Sequence, residues 1–97
     1  MSYEMHTDAG HGWLKVERIE LVKLGIEAKI SAYSYVNGPW AYLEEDCDLG
    51  TFARAKGWTA NANNGVTVIN DGDRSDIREY SCYGHDMDDF IFAKLSK

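Results

Sequence analysis

The residues with most capacity for chemistry lie near the start, in His6-Thr7-Asp8-Ala9-Gly10-His11-Gly12-Trp13. Two histidines and an aspartate fall within six residues, flanked by glycines. His6 and Asp8 share one face of an extended strand by period two, and His11 returns beside them if the chain turns between. A His, His, Asp set can hold zinc or another dication, with an open position for catalysis. The spacing matches no metal motif, however, and Asp8 with its glycines is also what a tight turn demands. The run therefore reads first as a structural hairpin, then as a contact surface. A small metal-dependent or acid–base enzyme built on His6, Asp8 and His11 is the alternative.

Glu44-Glu45-Asp46-Cys47-Asp48 gathers four carboxylates in five residues. Such a run could bind a hard cation, but it lacks calcium-loop spacing. Asp46 or Asp48 also serves as the cap of a following helix. A helix N-terminus would lower the Cys47 pKa, and the neighbouring carboxylates oppose that, so Cys47 is not expected to be a nucleophile. Asp71, Asp73 and Asp76, then Asp86, Asp88 and Asp89, are spaced like a phosphate mimic. Arg74 and Arg78 interrupt the pattern, which reads as a solvated surface. Gly-x-Ser-x-Gly, phosphate-binding glycine loops, Cys-x-x-Cys and dinucleotide fingerprints do not occur in the sequence.

The third group is aromatic. With a turn at Asn37-Gly38, Tyr35 faces Trp40 and Tyr33 faces Tyr42, all on one side of a sheet. Ala32, Ser34, Ala41 and Leu43 occupy the other side and are small enough for a helix to pack closely. If helices take the small side, the aromatic side stays partly open to bases, sugars or protein partners. If not, the aromatics form the core. Pro39 points to a slightly longer turn.

These groups belong to a chain of 97 residues, which suits a single domain over 1–97. The net charge is −6: five acids and four bases up to Leu43 give −1, and eleven acids and six bases after it give −5. That balance argues against binding phosphate backbones and is compatible with a basic protein surface. No apolar run is long enough to cross a bilayer, and Met1–Gly10 lacks the basic and apolar parts of a signal peptide. A cytoplasmic location is expected, with Cys47 and Cys82 as thiols and a single bridge between them as the alternative.

The pattern along the chain is ββαββαββα. Tyr3–Thr7 and Trp13–Val16 form a hairpin around Asp8–Gly12. Arg18–Leu24 forms a short helix stopped by Gly25, with Ile26 packing back on Leu21. Lys29–Val36 and Trp40–Glu44 form a second hairpin, followed by a helix to Lys56 that Gly57 ends and Trp58 folds back on. Val66–Ile69 and Ile77–Tyr83 flank a polar turn. Asp86 caps a C-terminal helix, although Phe90-Ile91-Phe92 also suits a strand; this tail, 84–97, is an extension. The fold class expected is α+β, an antiparallel sheet built from hairpins with helices on one face.

The segments His6–Leu14, Lys29-Ile30-Ser31 with Tyr33-Ser34-Tyr35, Tyr42–Asp48, and Ile77-Arg78 with Tyr80 and Tyr83 resemble a family of small uncharacterised proteins of bacteriophages, prophages and plasmids. The resemblance covers most of Met5 to Tyr83. It implies an accessory protein that binds a host or phage macromolecule, inhibition of a host defence system included. The functional expectation is a non-catalytic domain with a protein partner. Its binding residues are His6, Asp8, His11, Trp13, Tyr33, Tyr35, Trp40 and Tyr42, and no catalytic residue, metal or cofactor is expected. Binding of a nucleotide-like or sugar ligand on the aromatic face is a further alternative.

Overall fold

The computed structural model describes residues 2–59 and 62–84. Two hairpins and two helices form the frame. Strands β1 (Tyr3–Thr7) and β2 (Gly12–Glu17) pair antiparallel around the Asp8–His11 loop. Helix α1 (Arg18–Lys23) follows, then a 3-10 turn at Glu27–Lys29. Strands β3 (Tyr35–Asn37) and β4 (Trp40–Glu44) form the second hairpin, and helix α2 spans Leu49–Lys56. Strand β5 (Val66–Asn70), a 3-10 turn at Asp76–Glu79 and the short strand β6 (Ser81–Cys82) complete the described chain. All six strands join one sheet in the order β5-β1-β2-β4-β3-β6. The class is α+β, as expected. No described helix is long and apolar enough to cross a membrane.

Both helix stops follow the expected chemistry. Gly25 and Gly57 carry φ of 72° and 71°, and the Ile26 and Trp58 amides donate back to Leu21 and Ala53. Ile26 and Leu21 are buried together, so the first stop also anchors α1. Side chains of alternating residues sort cleanly. Leu14, Val16, Val36, Ala41 and Leu43 point to the helices and pack with Leu21, Ile30 and Phe52. Tyr3, Phe52 and Trp58 meet edge to face, with ring centroids 5.3–5.7 Å apart.

The sheet departs from the expected pattern at four places. The second hairpin turns at Gly38-Pro39 rather than Asn37-Gly38, so Asn37 pairs with Trp40 and Tyr35 with Tyr42. Gly38 has φ 61°, and proline supplies the negative φ that a type II′ turn needs second. The missing proline N–H costs nothing there, while the Pro39 carbonyl accepts from the Arg18 amide. Because the shift preserves parity, Tyr35, Trp40 and Tyr42 still share a face. Gly38→Ala is expected to cost about 1–2 kcal/mol by urea unfolding, since a β-carbon there has open space and only the positive φ opposes it.

Secondly, the strand expected over Lys29–Val36 begins only at Tyr35. Asp48 draws Ser31 and Ser34 into a turn, so Tyr33 lies outside the ladder. Asp46 or Asp48 was the expected cap of α2; Asp48 holds the N-cap position, without a side-chain cap bond, because its carboxylate faces Ser31 and Ser34 instead. Thirdly, β5 pairs parallel with β1, so the sheet is not antiparallel throughout. Two antiparallel steps make β4 parallel to β1, and a helical crossover then delivers β5 in the direction of β4.

Lastly, the expected strand Ile77–Tyr83 is mostly a 3-10 turn, capped at Ser75 by its own side chain, with β6 alone extended. β5 and β6 lie at opposite edges of the sheet and make no hairpin. The helix expected from Asp86 lies outside the described residues.

Candidate functional site

The helices cover the small-residue side of the sheet, as one of the two sequence readings required. Period two places Glu4 and His6, Trp13 and Lys15, Tyr35, and Trp40, Tyr42 and Glu44 on the opposite side. The chain after β5 crosses part of this aromatic face. Ile77 plugs into it, buried against Trp13 and Tyr42, with Tyr35, Trp40 and Tyr80 around them. Trp13 meets Tyr35 edge to face at 6.2 Å, and Tyr42 meets Tyr80 at 5.2 Å. Lys15 stands 4.3 Å over the Trp40 ring. The face is thus neither bare nor closed.

Asp8 fastens the crossing segment. Its carboxylate accepts from Arg78 Nε at 2.6 Å and Nη2 at 2.9 Å, from the Ser75 amide at 2.9 Å, and from the Gly10 and His11 amides at 3.0 Å. The Arg78 guanidinium, followed by these backbone donors, holds the Asp8 carboxyl far below the usual carboxylate range. Arg78 also lies 5.2 Å over the Trp13 ring.

Two concavities flank this clamp. The first, about 360 Å³, is lined by His6, Lys15, Tyr42, Asp71, Arg74 and Tyr80 among others. His6 Nδ1 lies 3.1 Å from both Asp71 oxygens, and Nε2 lies 2.9 Å from Glu4 Oε1. Burial alone would raise the Asp71 carboxyl, but hydrogen bonds from Ser75 and His6 outweigh it and hold it low. Burial, then the neighbouring Tyr80, pushes the Tyr42 hydroxyl up to about 12. The cations here are largely engaged: Arg74 pairs with Glu79, and Lys15 sits on Trp40.

The second concavity, about 290 Å³, is lined by His11, Trp13, Tyr33, Tyr35, Glu44, Asp46, Cys47 and Arg78. Glu44 pairs with Trp13 across β2 and β4, and His11 lies two residues before Trp13 on the same face. His11 Nδ1 consequently stands 3.4 Å from Glu44 Oε1. The Cys47 thiol is pushed up, first by the Glu44 carboxylate beside it and then by burial.

His6, Asp8 and His11 therefore share a face without sharing a site. His6 belongs to one concavity, His11 to the other, and Arg78 occupies Asp8 between them. Tyr33 is 72% exposed and leans over the second concavity from the Ser31–Ser34 turn. Asp71, Arg78, Tyr80 and Glu44 complete the face; the sequence set Glu44 in an acidic run and Asp71 in a spaced acidic series, and none of the four was among the expected binding residues. The alternating pattern of β4 could have flagged Glu44, as the next residue after Trp40 and Tyr42 on one side. Comparison with family models, with curated proteins and with solved structures finds no match for the chain.

Proposed function

We propose that the chain is a non-catalytic binding domain that engages a protein partner through the aromatic face of its sheet. In the setting its motifs resemble, that partner is a host or phage macromolecule met by a small accessory protein of a mobile element. The observation that carries this reading is the one-sided cover of the sheet: Tyr33, Tyr35 and Tyr80 line two concavities and Trp40 stays partly accessible on the same face, while the helices pack the other side. Aromatic side chains in such a setting supply large contact area at low entropic cost. The net charge of −6 favours a basic partner surface.

The test is capture of a partner by purified protein, followed by titration of that partner against surface variants. Tyr33→Ala and Trp40→Ala are each expected to weaken binding by about tenfold or more, with unchanged circular dichroism. Absence of any saturable complex, or affinity in both variants as tight as the parent's, would overturn the proposal. The 360 Å³ concavity supports a second reading, since it falls in the size range of small-ligand sites and carries Tyr42 and Tyr80 beside polar groups. A thermal-shift screen of nucleotides and sugars tests it. A ligand at a hundred times its Kd adds about 2.7 kcal/mol of stability.

A further inference from the structure

We propose that His11, Glu44 and Asp46 form a binding site for a transition-metal dication of the zinc class. One ligand atom from each residue lies within 4.8 Å of the other two. Donors about 2.0–2.2 Å from a tetrahedral zinc stand roughly 3.3–3.6 Å apart. The His11 Nδ1 to Glu44 Oε1 separation of 3.4 Å already matches that spacing. Asp46 is exposed and free to close the remaining distance by rotating its side chain.

The independent sign of a ligand is Glu44 itself. Its side chain is only 9% exposed, and its Oε1 is buried without a hydrogen-bond partner, directed at His11. That oxygen has His11 Nδ1 at 3.4 Å and the Cys47 thiol beside its carboxylate but no well-formed hydrogen bond, and a bound cation satisfies it better. The rest of Glu44 is held firmly. Its Oε2 accepts from the Asp46 amide at 2.9 Å, its carbonyl from the Asp48 amide at 2.9 Å, and its own amide donates to Ser34 Oγ at 2.9 Å. Asp8 in turn fixes the His11 backbone by accepting from its amide. The site is therefore built on a strand end and a clamped loop.

One imidazole among two carboxylates points away from calcium and magnesium, which take oxygen, and toward zinc. Three protein donors leave a coordination position for water or for a group on a partner. Arg78, which lines the same concavity, has its charge neutralised by Asp8. Metal uptake needs no partner, so its failure leaves the binding reading untouched, and the reverse also holds.

The experiment is calorimetric titration of Zn²⁺ into the full chain, purified without a histidine tag and stripped with EDTA. Co²⁺ serves as an absorbing substitute. One Zn²⁺ per chain is expected, with a visible Co²⁺ band that Zn²⁺ displaces. His11→Ala and Asp46→Asn change exposed side chains, so both should fold, and each is expected to weaken Zn²⁺ roughly tenfold or more. Asp73→Asn, an exposed carboxylate elsewhere, should leave uptake unchanged. No saturable uptake by the parent chain, uptake in His11→Ala and Asp46→Asn as tight as the parent's, or a response to Ca²⁺ in place of Zn²⁺ would each overturn the proposal.

Discussion

Asp48→Ala is expected to lower the unfolding free energy by about 2–4 kcal/mol, because it removes charge-assisted hydrogen bonds and strands buried donors. The Asp48 carboxylate accepts from the Ser31 amide at 3.0 Å, the Ser31 hydroxyl at 2.7 Å and the Ser34 hydroxyl. Ser34 is wholly buried and passes the interaction on, since its Oγ accepts from the Glu44 amide. The alanine variant therefore loosens three segments together: the turn before β3, the end of β4 and the start of α2. Urea unfolding measures the loss. Ser34→Ala should cost less alone, and the double variant should lose less than the sum, because both single changes break one network. Simple additivity, or a loss below about 1 kcal/mol for Asp48→Ala, would contradict this account.

The second large effect concerns Asp8 and has a pH signature. Its folded carboxyl is held well below the ordinary value, so the unfolded chain takes up the proton first as pH falls. The clamp on Arg78 and Ser75 is accordingly present in full above the ordinary carboxylate range and fades as acid drives protonation. Asp8→Asn keeps the shape of the side chain and removes its charge. It should melt well below the parent at pH 7, and the gap should narrow steadily once the pH drops under that range. A gap independent of pH would show that the charge is not what holds the segment after β5. Arg78→Met should reproduce the neutral-pH loss, with the added exposure of the Trp13 ring that Arg78 now covers.

Much of the fold was legible where the determinants are local. The Asp8–Gly12 turn, the Gly25 and Gly57 stops with Ile26 and Trp58 folding back, and the sorting of β4 side chains all rest on neighbours within a few residues. The failures are non-local. Asp48 looks like a cap to its own helix, yet it bonds to serines 14 and 17 residues earlier. Ile77–Tyr83 has the composition of a strand, but Ile77 is worth more as a plug between Trp13 and Tyr42. The direction of β5 depended on which edge remained free after α2, which no local pattern carries.

The candidate sites divide in the same way. Period two put the aromatics on one face, and it survived a shifted turn because the shift was even. What the sequence could not supply was the pairing of β2 with β4, which sets Trp13 opposite Glu44 and brings the histidine loop against the acidic run. His6, Asp8 and His11 looked like one constellation because they are close in sequence. Their partners, Asp71, Arg78 and Glu44, come from three distant places and separate them.

The parallel strand β5 has a bearing on how the molecule assembles. Tyr3 meets Val66, and Asp8 meets Arg78 from 70 residues away, so two of the seams that secure the first hairpin wait for the far half of the chain. The two hairpins and two helices can gather early from local contacts, whereas the outer edge of β1 stays bare until β5 arrives. Contacts of such span slow the search for the native state and prolong exposure of an unpaired strand. Refolding should show a fast phase that builds the hairpins and a later one that closes the sheet. Chains cut short before Val66 should associate through the open side of β1. Among the described residues β5 becomes the edge in its place, with Val68 67% exposed, a flank whose unpaired backbone has the chemistry to take up a further strand.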